Sequence, residues 1–368
     1  MKGKFKIRSF IKDNIVMVIA LLLAVLTSIF IPIDKEYIGY FDFKTLSCLF
    51  CVLSVVCALK NINFFYLLAR KIVQGFKTAK MAVLALVYIT FIGSMFIAND
   101  MALITFLPLG YFVLTYRKKY MAFTFIMQNI AANLGGMLTP FGNPQNLFLY
   151  SKFNISDLEF VSVMFLPFAV SIALITVCCI IFVKSEPLEL GEDEAEIQPA
   201  KALIYMLLFS LSIAMVFRFL PYWVGLIIIP AVLFFMDKKA LEAVDYPLLF
   251  TFAFFFVFSG NMARIDAVRA FFSSLLEKNT LIVSVLSCQC ISNVPSAILL
   301  SQFTQNYRDL LVGVNIGGTG TLIASLASLI TFREYVLLES GKAKQYIGMF
   351  SAFNFAFLII LTTVMSFV

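Results

Sequence analysis

The sequence predicts an all-α polytopic membrane protein that contains an inverted repeat, two re-entrant hairpins and two broken helices. Three observations lead to this fold class. Hydrophobic residues make up 61% of the 368 residues and charged residues only 13%, and the mean hydropathy is +0.96. The apolar residues form runs long enough to cross a bilayer. Two of these runs contain clusters of Gly, Pro, Thr and Asn, which a continuous helix disfavours.

The composition excludes several classes of protein. Soluble domains contain about 45–50% apolar and about 25% charged residues, so the apolar excess here must contact a lipid bilayer. The net charge of +7 indicates no nucleic-acid partner, because the basic residues flank apolar runs and form no patch. The sequence has no His, the commonest general base and a usual zinc ligand, and we expect neither an enzyme nor a cofactor. Cys48 and Cys51 have C-x-x-C spacing, but their apolar setting favours packing.

The apolar runs define the predicted membrane segments. The first run, 14–33, follows a basic N-terminus and is too long for a signal peptide, so we expect it to remain as a membrane helix. Segments 61–79 and 266–279 mix charged, aromatic and aliphatic residues, which indicates helices lying in the membrane interface. The other runs are 44–59, 81–98, 101–116, 120–150, 161–183, 202–219, 222–236, 248–263, 281–304, 310–332 and 345–368.

The basic residues orient these segments. Lys80 precedes one pair of adjacent runs, and the Arg-Lys-Lys sequence at 117–119 follows it. By the positive-inside rule both clusters are cytoplasmic, so the segment 81–116 must enter and leave the membrane on the same side. We therefore predict a re-entrant hairpin whose tip holds Asn99 and Asp100 at membrane depth.

The same rule makes 281–304 a second hairpin, entered from the outer face, with its tip near Asn293. It places the N-terminus in the cytoplasm and the C-terminus outside, in a plasma membrane of the bacterial inner-membrane type. The segment 184–201 is acidic and contains two prolines, which predicts a solvated cytoplasmic linker between two halves of the chain.

The two halves resemble each other at two places. The sequence IANDM (97–101) pairs with ISNVP (291–295), and ANLGGMLT (132–139) pairs with VNIGGTGT (314–321). The first half starts inside and the second outside, so the repeat is inverted in the membrane. Inverted repeats with interrupted helices are typical of secondary transporters, whose sites lie at the interface between the repeats.

The repeat divides the chain into three parts. Residues 1–183 form the first repeat, 184–201 the linker, and 202–368 an extra helix followed by the second repeat. The first repeat is expected to comprise scaffold helices 14–60, interfacial helix 61–79, hairpin 81–116, broken helix 120–150 and helix 161–183. The second is expected to comprise helices 222–263, interfacial helix 266–279, hairpin 281–304, broken helix 306–335 and helix 345–368.

The interruptions predict a ligand pocket. Irregular backbone in hydrocarbon leaves N–H and C=O groups unpaired at several kcal/mol each, and it is tolerated only around a cavity or ligand. Exposed half-helix N-termini each carry about half a positive charge, and carbonyl oxygens at the preceding ends are hard ligands for Na⁺, so the pocket suits a small anion with a coupling cation. The residues expected to shape the two interruptions are Gly135, Gly136, Pro140, Pro144, Gly317, Gly318 and Gly320.

Asp100 is the one acidic residue that we expect at mid-membrane. A carboxylate there costs roughly 2.5–3.5 kcal/mol on insertion scales, so a function is the default expectation. It would serve as a proton carrier or as an ionised ligand for Na⁺, and the structural alternative is a cap for a half-helix that begins at Met101. Val294 occupies the matching position in the second half.

Further candidate ligands come from the tips and the interruptions. Asn99 and Asn293 offer carbonyl oxygens to a cation or amide groups to an anion, whereas for the hydroxyl residues bonding to the backbone is the alternative. Arg264 would face an anionic substrate, although an Arg at a helix end more often snorkels. The predicted substrate- and ion-binding residues are Asn99, Asp100, Thr139, Gly142, Asn143, Ser292, Asn293, Thr319, Thr321 and Ser325, with transient Na⁺ expected at Asn99, Asp100 and Asn143.

Four motifs in order give a resemblance to a known group of proteins. FIANDMALITFLPL (96–109) resembles the A-N-D-x-x-x-L hairpin of arsenite permeases and NhaD-type Na⁺/H⁺ antiporters. ANLGGMLTPFGNPQNLFLY (132–150) resembles their first interruption. SNVPSAIL (292–299) and GVNIGGTGTLIASLASLI (313–330) resemble the second hairpin and the second interruption. The chain is thus similar to the ion transporter superfamily, which also includes citrate permeases and divalent-anion/sodium symporters.

The resemblance implies a homodimer, each chain having a scaffold domain and a transport domain that moves as an elevator. It also implies one subsite at Asn99 with 139–143 and another at Asn293 with 319–325. The symporters carry S-N-T at their hairpin tips, whereas this chain has an acid, Asp100, in place of the first threonine. This departure favours proton coupling over sodium coupling.

The predicted function is secondary active transport of a small anion, an organic di- or tricarboxylate or an inorganic oxyanion, coupled to H⁺ or Na⁺. Na⁺/H⁺ antiport and arsenite efflux are the alternatives within transport. A channel is disfavoured because the sequence has no continuous polar stripe, and an intramembrane hydrolase because it has no His and only one acid at mid-membrane.

Overall fold

The computed structural model describes residues 14–115, 117–188 and 198–368, and these residues are almost entirely helical. The basic N-terminal residues 1–13 and half of the predicted acidic linker, residues 189–197 of 184–201, lie outside the described residues. Within the described ranges, six helices are long and apolar enough to cross a membrane. The prediction of an all-α, multi-pass membrane protein is therefore confirmed.

Nine helices are described before the linker. Several begin where the sequence provides a capping side chain: the Asp42 carboxylate accepts from the Thr45 N–H at 2.9 Å, and the Ser156 hydroxyl accepts from the Glu159 N–H at 3.4 Å. The helices are α1 (Ile15–Phe30), α2 (Tyr37–Tyr40), α3 (Phe43–Asn61), α4 (Phe64–Val73), α5 (Ala79–Ile97), α6 (Asn99–Leu114), α7 (Met121–Gly135), α8 (Pro144–Lys152) and α9 (Asp157–Phe182).

Ten helices are described after the linker. They are α10 (Pro199–Val216), α11 (Tyr222–Met236), α12 (Lys238–Glu242), α13 (Tyr246–Ala263), α14 (Asp266–Lys278), α15 (Thr280–Ile291), α16 (Asn293–Leu300), α17 (Tyr307–Ile316), α18 (Leu326–Leu338) and α19 (Ala343–Met365). α13 packs against α1, and α10 and α11 pack against α3. α18 packs against α6 and α7, and α16 against α8 and α13, which brings segments from the two halves together.

Two helical hairpins turn at single residues with left-handed backbone. α5 and α6 pack against each other and join at Ala98, whose φ is 64°, while α15 and α16 join at Ser292, whose φ is 76°. Non-glycine residues adopt this conformation rarely, at a cost of order 1–3 kcal/mol. In both hairpins the next residue is an asparagine that begins the second arm, at Asn99 and Asn293.

The two ends of the first hairpin lie at the same end of the helices, because one short segment contacts both. The Ala79 N–H donates to the Glu186 carbonyl at 2.8 Å, and the Arg117 guanidinium donates to the Pro187 carbonyl at 3.1 Å. Lys119 also pairs with the Glu186 carboxylate at 2.5 Å, and this hydrogen bond holds the pKa of Glu186 below its usual range. We call residues 184–188 the strap.

Each half contains one interrupted helix. After α7 the chain forms a 3₁₀ turn at 136–138 and then an irregular segment, 139–143, before α8 starts with Pro144 at its first position. α17 ends at Ile316, and the irregular segment 317–325 precedes α18. We call 139–143 and 317–325 the first and second break.

Glycine is required in both breaks. A Cβ on Gly142 would lie 2.3 Å from the Gly136 carbonyl oxygen, and Gly320 has a φ of +110°. No other residue type adopts either arrangement without strain. Of the other predicted break residues, Pro140 lies within the first break and Gly317 and Gly318 lie within the second. Gly135 is the last residue of α7, and Gly136 begins the 3₁₀ turn that follows it.

Candidate ion and substrate site

Asn133 joins the first hairpin tip to both breaks. It lies in α7, in which every residue except Ala122 is buried, and only 2% of Asn133 is exposed. Its side-chain oxygen accepts from the Asn99 amide at 3.1 Å and from the Ser325 hydroxyl at 2.8 Å. Its backbone carbonyl accepts from the Asn143 amide at 3.2 Å. One residue, through its side chain and its backbone carbonyl, therefore holds three predicted site residues together.

Asn315 joins the second half to the first break in a similar way. Its side-chain oxygen accepts from the Asn143 amide at 3.2 Å and from the Gln145 amide at 3.4 Å. Its amide group donates to the Asn146 side-chain oxygen at 2.6 Å and to the Leu311 carbonyl at 2.8 Å. All four bonds are buried.

The hydrogen bonds of Asn315 determine which way two other amides face. The Leu311 carbonyl only accepts, so Asn315 must direct its nitrogen there and present its oxygen to Asn143 and Gln145. Those residues in turn donate through their nitrogens. Their oxygens are buried and have no hydrogen-bond partner among the described residues, and Oδ1 of Asp100 is in the same situation. A cation, or a donor from outside the chain, can satisfy buried acceptors of this kind.

Several hydrogen bonds recur at matching positions in the two halves. Asn133 and Asn315 have the same place in the two repeated motifs, and so have Asn143 and Ser325. Ser325 of the second half donates to Asn133 of the first. Asn143 of the first half donates to Asn315 of the second. Each break residue therefore binds the asparagine of the other half.

The break threonines behave alike as well. The Thr139 hydroxyl donates to the Met95 carbonyl at 2.7 Å, and the Thr321 hydroxyl donates to the Gln289 carbonyl at 3.3 Å. Met95 and Gln289 each lie four residues before the tip asparagine of their hairpin.

The hairpin tips share one local geometry. The side-chain oxygen of Asn99 accepts from the Asp100 N–H, and that of Asn293 accepts from the Val294 N–H, both at 2.9 Å. Ser292 donates to the same Asn293 oxygen at 3.3 Å. The structure does not show Asp100 as a cap. α6 begins at Asn99, not at Met101, and no side-chain capping bond is present at its start.

Gln289 forms hydrogen bonds with backbone groups of the second break, and it is not among the residues that the sequence predicts for the site. The Gln289 amide donates to the carbonyls of Gly317 at 2.9 Å and Thr319 at 3.0 Å, and its oxygen accepts from the Thr321 N–H at 2.9 Å. The Thr319 hydroxyl donates to the Ile316 carbonyl at 2.7 Å. The second break is therefore tied to its own hairpin.

The two halves differ in their free acceptors. The repeat places Val294, Ser325 and Ala327 at the positions of Asp100, Asn143 and Gln145. Of these three, only Ser325 has a side-chain oxygen, and that oxygen is bonded to Asn133. At these three pairs of matching positions, the side-chain oxygens without a partner in the described ranges are therefore those of the first half, on Asp100, Asn143 and Gln145.

Sequence reasoning missed Asn133, Asn315, Gln145 and Gln289 as site residues. Asn133 and Asn315 lie in the repeated motifs and were visible as a matched pair. Nothing in the sequence marks Gln145 or Gln289, since their importance comes from partners elsewhere in the chain.

Arg264 lies away from this site. It pairs with the Asp34 carboxylate at 2.7 Å and with Glu36 at 3.4 Å, and it donates to the Tyr40 hydroxyl at 3.1 Å. Its hydrogen bond holds the pKa of Asp34 below the usual range. These contacts fit the helix-end role of Arg264, because its charge is already shared by two carboxylates.

A multi-pass helical protein with two hairpin tips and two breaks brought together in its interior has the architecture of a membrane transporter. The family model described as citrate transporter (CitMHS) matches residues 7–307, and the chain belongs to this family. The resemblance to the ion transporter superfamily is thereby confirmed. A transporter is not an enzyme in the catalytic sense, in line with the prediction from composition.

Two relatives support the assignment. The chain is 34% identical to "Uncharacterized transporter MJ0456" of Methanocaldococcus jannaschii over 316 residues, which cover 85% of this chain and 86% of the relative. It is 28% identical to "Inner membrane protein YbiR" of Escherichia coli over 312 residues, which cover 83% of this chain and 84% of that protein.

Proposed function

We propose that this chain is a secondary active transporter of a small anion, with organic di- and tricarboxylates as the first candidates. Membership of the citrate transporter family supports this substrate class. The proposal includes coupling to H⁺ or Na⁺ and alternating access by an elevator movement of a transport domain against a scaffold. It also includes a homodimer of inverted repeats in the plasma membrane, with the N-terminus in the cytoplasm and the C-terminus outside.

The observation that carries the coupling is the set of free acceptors on Asp100, Asn143 and Gln145. An anion bound within about 4 Å of an ionised Asp100 would be repelled by about 4 kcal/mol at an effective dielectric constant of about 20. Binding of H⁺ or Na⁺ at Asp100 removes that repulsion. The anion then gains the partial positive charge of the half-helix N-termini at Asn99 and Asn293. Each ligand thus promotes binding of the other, which is the requirement for symport.

The decisive experiment compares Asp100→Asn with wild type in proteoliposomes. Uptake of labelled citrate, succinate or sulfate is measured under imposed Na⁺ or H⁺ gradients. We expect Asp100→Asn to abolish gradient-driven uptake while the protein stays folded and dimeric. Asp309→Asn, at the exposed start of α17, is the control that should transport normally. Normal coupled uptake by Asp100→Asn removes Asp100 from the mechanism.

The second candidate is Na⁺/H⁺ antiport. It is favoured by the same buried Asp100 oxygen, because cation exchange at a carboxylate needs no organic substrate. Proton flux that requires Na⁺ and no anion would establish this function in place of anion transport.

A further inference from the structure

A cavity of about 310 Å³ lies between the α3–α4 corner and α6. Residues Ile104, Thr105 and Pro108 of α6 form one wall, and Lys60 and Tyr66 lie on the other side. None of the predicted site residues lines this cavity. Its size is at the lower end of the range for small-molecule pockets, roughly 300–1,000 Å³.

Four polar side chains line the cavity, and all four can donate hydrogen bonds: Lys60, Asn63, Tyr66 and Thr105. Within the ranges that the structure describes, none of these side chains has an ion pair or a hydrogen bond. Asn63 has a left-handed backbone, with a φ of 54°, so the corner itself is locally strained. A space lined by one free ammonium and three further donors complements an anion.

The cavity lies against the face of α6 that also carries Asp100 at the hairpin tip. Asp100, Ile104 and Pro108 follow at intervals of four residues, so they share that face. Ile104 and Pro108 are exposed, and Asp100 is half-buried. Ile104 lies about 6 Å and Pro108 about 12 Å from Asp100 along the helix axis. An anion in the cavity is thus about two helical turns from the acid.

The tip site itself has no basic side chain among the residues assigned to it. Asn99, Asn143, Asn293, Ser325 and Asp100 supply amides, a hydroxyl and one acid. A polycarboxylate bound there would contact amide and hydroxyl groups, which carry only partial charges, and one carboxylate of its own sign. Lys60 in the cavity supplies a full positive charge beside α6.

We propose that the cavity is a second anion site, at which the Lys60 ammonium and the Asn63, Tyr66 and Thr105 donors hold a small polycarboxylate before it reaches the hairpin tips. The assignment rests on the proposed anion transport. Lys60 recruits the substrate and raises its local concentration beside α6, without taking part in the coupling at Asp100.

The test measures citrate binding and citrate uptake in Lys60→Gln, Lys60→Arg and the control Lys71→Gln. Lys71 lies exposed on α4 and does not line the cavity. We expect equilibrium binding of labelled citrate to fall from two sites per chain in wild type to one in Lys60→Gln. The KM for uptake should rise on the order of tenfold with an unchanged maximal rate. Lys60→Arg should restore wild-type values, and the difference should shrink at high ionic strength.

Equal binding and equal KM in wild type and Lys60→Gln overturn the proposal. The measurements are made in phosphatidylcholine vesicles and repeated with added phosphatidylglycerol. A Lys60 effect that requires the anionic lipid assigns the cavity to a lipid headgroup and also overturns it. If wild type takes up no anion under either gradient, the proposed transport function fails. The number of citrate sites on the purified protein still decides the cavity assignment.

Discussion

Replacing Asn133 by leucine tests whether this one side chain holds the two halves of the site together. Leucine has a similar size but accepts no hydrogen bond. The substitution leaves the Asn99 amide and the Ser325 hydroxyl without the acceptor that lies at 3.1 and 2.8 Å in wild type. A buried donor that loses its partner costs about 1–3 kcal/mol, so the two together cost about 2–6 kcal/mol.

Asn354→Leu is the matched control. Asn354 is also fully buried in a helix, and its amide also donates to the carbonyl four residues earlier, at Phe350. Its side-chain oxygen has no hydrogen-bond partner within the described part of the chain, so leucine leaves no described donor without its acceptor there. Both substitutions gain similar apolar burial, and the difference between them isolates the bonds that Asn133 accepts.

The assay is thermal unfolding of the purified protein in detergent, followed by citrate uptake in proteoliposomes. We expect Asn133→Leu to melt well below Asn354→Leu and to lose uptake, whereas the control remains close to wild type in both. Equal melting temperatures for the two variants would refute the reasoning, because the bonds of Asn133 would then contribute nothing that Asn354 lacks.

Three further predictions concern the second break, the strap and the tips. Gln289→Met removes three bonds to the second break, and we expect a higher KM for citrate with an unchanged cation dependence of uptake. Because the pKa of Glu186 is lowered, the strap should stabilise the fold at neutral pH. This contribution should be lost only as the pH falls through that lowered value, and melting curves of Glu186→Gln should lack the acid-dependent component. The third prediction concerns the tips and uses a Cys290→Ser background, because Cys290 is the exposed native thiol. Cysteines introduced at Asn99 and Asn293 should react with impermeant reagents from opposite faces of the membrane. Labelling of both from one face throughout contradicts the inverted topology.

The elements of the fold follow from local properties of the sequence. Apolar runs of spanning length predict membrane helices because the bilayer leaves no other partner for the backbone. Local sequence also predicts the two broken helices. Pro140, Gly142 and Pro144 disfavour a continuous helix in the first half, and Gly318 and Gly320 do so in the second. Asp100 stood out because a carboxylate in an apolar run is costly.

Only the tertiary structure shows how the side chains of the site are oriented. Asn143 is a free acceptor because Asn315, 172 residues further along the chain, takes the Asn143 nitrogen as its donor. Ser325 is bonded because Asn133, 192 residues away, offers it an oxygen. An amide is both donor and acceptor, and its partners decide which group remains free for a ligand. Sequence periodicity describes neighbours along one helix, so it contains no information about partners supplied by the other half.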